Sequence, residues 1–126
     1  MLGDHEVMAT LAVSDIDRAK AFYGDRLGLV LDEEQMNNVL IYRAGASRLL
    51  VYQSDYAGTN QATAATWSVG AAFDAVITRL REAGIVFERY DWPGATWKDG
   101  VHDLGDGFLA SWFKDPDGNI LHVNAA

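Results

Sequence analysis

The chain of 126 residues contains no cysteine, which excludes thiolate nucleophiles, disulfides and thiolate metal sites together. Imidazole chemistry rests on three histidines, His5, His102 and His122. Imidazole is the side chain that changes protonation near neutral pH, and it serves as hydrogen-bond partner, base or metal ligand. His122 stands in the alternating run Ile120–Asn124. One face of a strand there carries Ile120, His122 and Asn124; the other carries Leu121 and Val123, which suit packing beneath a helix. His122 is therefore expected on the open face of a sheet, as a ligand contact. His5 is expected to be solvated. His102 follows Gly100 in an aperiodic segment, and the pattern leaves its position open.

No nucleophile–base constellation accompanies them. The sequence has no Gly-x-Ser-x-Gly, no phosphate-cradling glycine loop and no His-Glu-x-x-His. Ser111 has no assignable base. Aromatic side chains are the stronger signal: of the four tryptophans, Trp92, Trp97 and Trp112 fall within 21 positions, and Trp67 is the fourth. With Tyr52 and Tyr42 they could line a concave face suited to a flat, partly aromatic organic ligand. The stretch Tyr90–Gly100, too long for a simple turn, is a candidate lid over it.

Two successive arrays of elements would have to position these groups. The first opens with a strand at 7–13. A helix follows, N-capped by Ser14-Asp15, carrying Ile16, Ala19, Phe22 and Tyr23 at helical spacing and closed by Gly28. Strands at 29–33, 39–43 and 48–53 complete it, with Gly45 in the last turn. Polar DYAGTNQA (55–62) reads as a linker. The second array repeats the order: a strand at 63–69, a helix bearing Phe73, Val76, Ile77 and Leu80, then Gly84. Extended segments at 85–90, 108–114 and 119–124 follow, the last two joined by the turn Asp115-Pro116-Asp117-Gly118. Gly28 and Gly84 lie 56 residues apart. Each array alone has a sheet too small to bury both faces, so the two are expected to pair.

Composition restricts the partners. With 18 acidic and 10 basic residues the formal charge is −8, which repels a nucleic-acid backbone. No apolar run approaches the roughly 20 residues needed to span a bilayer, and MLGDHEVMAT lacks the cationic and apolar regions of a secretory signal. A single cytoplasmic domain with no nucleic-acid or membrane partner is expected.

The stretch LAVSDIDRAKAFYGDRLGL (Leu11–Leu29) resembles the opening of the vicinal-oxygen-chelate superfamily, which includes glyoxalase I, extradiol dioxygenases and bleomycin-resistance proteins. WFKDPDGNILHV (Trp112–Val123) resembles its closing signature. The resemblance covers essentially the whole chain and implies an α+β fold. Two βαβββ units, roughly 5–54 and 63–126, would form a curved mixed sheet with a cup, helices on the outer face. It also implies a homodimer whose copies complete the cup, by exchange about the 55–62 linker or otherwise.

Metal-dependent members similar to this chain place ligands at positions that fall on Met8, near Ala65, near Leu50 and on His122. A thioether is a poor ligand for Mg, Mn, Ni or Zn, and Ala has no donor. No metal site and no cofactor are therefore expected. The reading drawn from the sequence is a metal-free small-molecule-binding protein of the bleomycin-resistance type. It would sequester an aromatic or cationic compound with His122, Met8, Tyr52, Trp67, Trp92, Trp97, His102 and Trp112. The alternatives are a lyase, isomerase or dioxygenase of the same superfamily, with an atypical metal site built from His102 and His122 or with His122 as base, and a module that binds a partner protein.

Overall fold

In a computed structural model, which describes residues 1–36 and 38–126, the chain forms two mixed sheets and two helices. The first sheet is built from β1 (Ala9–Val13), β2 (Val30–Gln35), β3 (Val39–Ala44) and β4 (Ser47–Gln53), in the order β1-β4-β3-β2. Its helix α1 (Ile16–Ala19) starts where the Asp15 carboxylate accepts the Arg18 N–H at 2.9 Å. It then continues as a wider, π-wound segment over Lys20–Arg26 that carries buried Phe22 and Tyr23. Gly28 ends it at φ 75°, a left-handed conformation that glycine adopts without steric cost, with the Gly28 N–H returning to the Gly24 carbonyl.

The second sheet contains β5 (Thr63–Ser68), β6 (Phe87–Glu88), β7 (Thr96–Lys98), β8 (Val101–Asp103), β9 (Leu109–Lys114) and β10 (Ile120–Asn124). Its order is β5-β10-β9-β8-β7, with β6 also on β9. Helix α2 (Phe73–Glu82) buries Phe73, Ile77 and Leu80, the spacing of one helical face, and Gly84 follows it at φ 82°. The shared signature of the two halves is a parallel first-to-last pairing, β1 with β4 and β5 with β10.

The candidate lid is in part a strand hairpin that the sequence did not announce. Trp97 pairs with His102 across a turn at Asp99-Gly100, whose φ angles are 51° and 90°. The strand expected at 85–90 is short for the same reason: only Phe87 and Glu88 pair with β9 before the chain leaves for the hairpin.

Alternation divides each sheet into a helix-facing and an open face. Leu11, Val13, Leu40, Tyr42, Leu49 and Val51 of the first sheet join Phe113, Leu121 and Val123 of the second in one continuous core with both helices. Each large apolar side chain buried this way contributes about 1.5–3 kcal/mol. Tyr42, a candidate for the open face, belongs to this core instead, 6.1 Å from the Tyr23 ring, because its neighbours Ile41 and Arg43 take the other parity. The halves are also tied by polar contacts at the Asp115–Asn119 turn. Tyr23 Oη donates to Asp115 Oδ2 at 2.6 Å, and Asn119 Nδ2 to the Ala12 carbonyl at 2.7 Å. Ser14 donates to Asp117 through both N–H and Oγ, and Arg18 pairs with the same carboxylate at 3.0 Å.

Candidate functional site

Strands β9 and β10 bring Trp112 and His122 directly opposite each other on the open face. Their rings stack at 4.4 Å between centroids and 7° between planes. His122 is half-buried; its Nδ1 lies 3.3 Å from Thr66 Oγ1 on β5, while its Nε2 is buried without a partner among the described residues. Burial holds the His122 imidazole below its ordinary value of 6.5, so it stays neutral at neutral pH.

Trp112 is the hub of the cluster. Trp92 leans on it at 5.2 Å, Tyr90 meets it edge-on at 5.7 Å, and His102 edge-on at 5.1 Å. Its indole N–H donates to Thr63 Oγ1 at 3.2 Å, which fixes the ring orientation. Only 5% of Trp112 is exposed against 50% of Trp92, so Trp92 is the face offered to solvent and Trp112 its support. Beside them lies a hollow of about 200 Å³, lined by Gln61, Thr63, Tyr90, Trp92, Trp112 and Ile120. A second hollow of about 340 Å³ shares Tyr90 and Trp92 and extends to Arg89, Asp91, Trp97 and His102.

The remaining candidates fall in different places. His102 lies on β8 facing this cluster but is fully buried; Tyr90 N–H donates to its Nε2 at 3.0 Å, so it anchors the strand end instead of standing open in a cup. Trp67 is on the opposite face from His122. It pairs with Val123 on β10 and closes an apolar slot with Leu29, Val76, Leu80 and Phe113, because the residue whose parity matches His122 is Thr66. Trp97 lies on β7 under the Arg89 guanidinium, 5.1 Å from the ring centroid. Tyr52 is on the open face of the first sheet, paired with Ala12 and Val39. Met8 precedes β1 and lines a separate hollow with Glu6, Val7 and Arg48. His5 is exposed ahead of β1, so strand alternation does not govern it. Tyr90 and Arg89 were missing from the candidates drawn from sequence. The alternation Arg89-Tyr90-Asp91-Trp92 after β6 was the available signal, masked by the turn-rich composition that follows.

The donor set does not fit a resident divalent ion. The cross-strand neighbours of His122 are the neutral Thr66 hydroxyl and the Trp112 indole, and Leu50 and Met8 offer no oxygen or nitrogen donor from their side chains. Among the described residues, no three His, Asp or Glu side chains converge. His102 spends its Nε2 on the Tyr90 backbone.

Residues 7–42 match the family model described as bleomycin resistance protein-like N-terminal. No curated protein matches the chain by sequence. Among solved structures, a bleomycin-binding protein complexed with bleomycin is similar at TM-score 0.72 and 18% identity, covering 97% of this chain and 98% of that one. Lactoylglutathione lyase from Agrobacterium tumefaciens is similar at TM-score 0.70 and 22% identity, over 94% of this chain and 92% of that one. The fosfomycin resistance protein of Listeria monocytogenes follows the same fold at TM-score 0.66 and 12% identity, over 97% and 90% of the two chains. The chain therefore shares the α+β fold of these glyoxalase, bleomycin-binding and fosfomycin-resistance structures, and residues 7–42 are similar to the bleomycin-resistance-protein-like N-terminal family.

Proposed function

We propose that the protein binds a flat aromatic small molecule against Trp92 and Trp112, with His122 as neighbouring polar contact, and does so without a metal. The observation that carries this reading is the Trp112–His122 stack capped by half-exposed Trp92 at the edge of an open hollow. Indole faces supply stacking area, and few polar groups fix orientation, which is how small-molecule sites are usually built. A bleomycin-binding neighbour of the same fold supports sequestration as the purpose. The formal charge of −8 favours a ligand that is cationic or at least not anionic overall.

In this reading residues 1–126 form one domain of two units, 5–54 and 63–126, and a second copy completes the cup over the open faces. Exposed Met8, Tyr52 and Trp92 supply apolar surface for that contact. An enzymatic reading has one specific support, the neutral His122 with its unpartnered Nε2, which is how a general base would be held.

Calorimetric titration with indole and with a cationic aromatic antibiotic tests the binding reading. Saturable binding that is unchanged by a chelator and lost in Trp92→Ala is expected. Absence of binding by both compounds, or stoichiometric metal in protein purified without a tag, overturns it.

A further inference from the structure

The larger hollow is chemically unlike its neighbour. It holds one cation and one anion, Arg89 and Asp91, and neither forms an ion pair among the described residues. The guanidinium is not loose. It lies over the Trp97 ring at 5.1 Å, a contact that holds its plane while leaving N–H edges free. Two buried polar atoms of the same wall also lack partners, His102 Nδ1 and Tyr90 Oη. His102 Nε2 lies 3.0 Å from the Tyr90 N–H and 3.1 Å from the Tyr90 carbonyl, so the Tyr90 backbone occupies that nitrogen and Nδ1 is the one left facing the hollow without a partner. Buried polar atoms without partners are rare in folded proteins because each costs about 1–3 kcal/mol.

Together these groups put a cation, a carboxylate and two unpartnered polar atoms in one hollow walled by Trp92. We propose that this hollow takes the head group of a zwitterionic aromatic ligand. Its carboxylate meets Arg89 and its ammonium meets Asp91, while the ring lies in the adjoining hollow against Trp92 and Trp112. The shared walls, Tyr90 and Trp92, make the two hollows one bent site. This inference rests on the aromatic-binding reading above and names the class of ligand. A guanidinium takes a carboxylate in bidentate fashion, which an anion-rich chain of net charge −8 would otherwise disfavour. Opposite charges set apart in one hollow select a molecule that carries both.

Calorimetry with four probes sharing one ring tests it: L-tryptophan (zwitterion), indole-3-propionate (anion), tryptamine (cation) and indole (neutral). L-tryptophan is expected to bind at least about tenfold more tightly than indole, the scale of a charged hydrogen bond. Arg89→Gln should weaken L-tryptophan and indole-3-propionate by about tenfold or more and leave tryptamine and indole unchanged. Asp91→Asn should weaken L-tryptophan and tryptamine only. Both side chains are exposed, so neither change threatens the fold. If all four bind within about threefold of one another, or the variants weaken all four alike, the head-group assignment fails while the aromatic-binding reading stands. If none of the four binds, both fail.

Discussion

Tyr23 and Asp115, 92 positions apart, meet in a buried hydrogen bond of 2.6 Å that joins the helix of the first half to the turn of the second. The same carboxylate accepts from the Asp117 and Asn119 backbones and from Asn119 Nδ2, so it organises the turn as well as the junction. Removing the phenol hydroxyl leaves the acid its turn contacts but breaks the tie. Tyr23→Phe should lower unfolding free energy by about 1–3 kcal/mol in urea titration. Asp115→Ala should cost more, since it empties four bonds at once.

That junction also has a pH signature. Burial, then the Asp115 charge, pushes the Tyr23 phenol well above its ordinary value of 10.0. A folded-state value above the unfolded one gives stability that is full below about pH 10 and declines as pH rises further, because only the unfolded chain releases the proton easily. Alkaline unfolding should therefore steepen above about pH 10, and the Tyr23→Phe variant should show a shallower limb. Identical alkaline limbs in the two proteins would contradict the assignment.

His122 shifts in the opposite sense. Burial lowers its folded-state value below 6.5, so the unfolded chain binds the proton first as pH falls. Stability from this group is complete above about pH 6.5 and is lost on acidification toward the folded value. The His122 Cε1 proton should titrate in NMR with a midpoint below 6.5, and His122→Gln should remove that component of the acid limb. A midpoint above 6.5 would mean that an anion reaches the imidazole.

The two tryptophans of the site should separate stability from binding. Trp112, 5% exposed, should cost about 3–5 kcal/mol as Trp112→Ala. Trp92, 50% exposed, should cost about 1 kcal/mol or less as Trp92→Ala while abolishing aromatic-ligand binding. Thermal unfolding and calorimetry on the same two variants distinguish the outcomes.

At Gly58 the linker runs against the Asp115–Asn119 turn, and a Cβ there would collide with the Asp117 carbonyl oxygen. The residue also holds φ 75°. Gly58→Ala should destabilise the protein by more than the about 1 kcal/mol that a left-handed alanine alone costs. Gly45→Ala, at φ 57° in open space, isolates that backbone term.

The sequence determined the local order of this protein. Asp15 as cap, Gly28 and Gly84 as helix ends, the period-2 strands and the Asp-Pro-Asp-Gly turn are local steric and hydrogen-bonding effects. They are legible from neighbours within a few positions. The parity of Leu121 and Val123 likewise placed His122 on the open face. Tertiary structure decided what parity could not. Trp67 went beneath the helices because β5 takes its register from β10, which puts Thr66 and not Trp67 beside His122. His102 became a buried anchor because the 96–103 hairpin, held by Asp99 and Gly100 in left-handed conformations, folds it behind Tyr90. Arg89 and Asp91 acquired a common hollow through the same turn of chain. Such placements depend on pairings between residues far apart in the chain, and no spacing rule along one strand contains them.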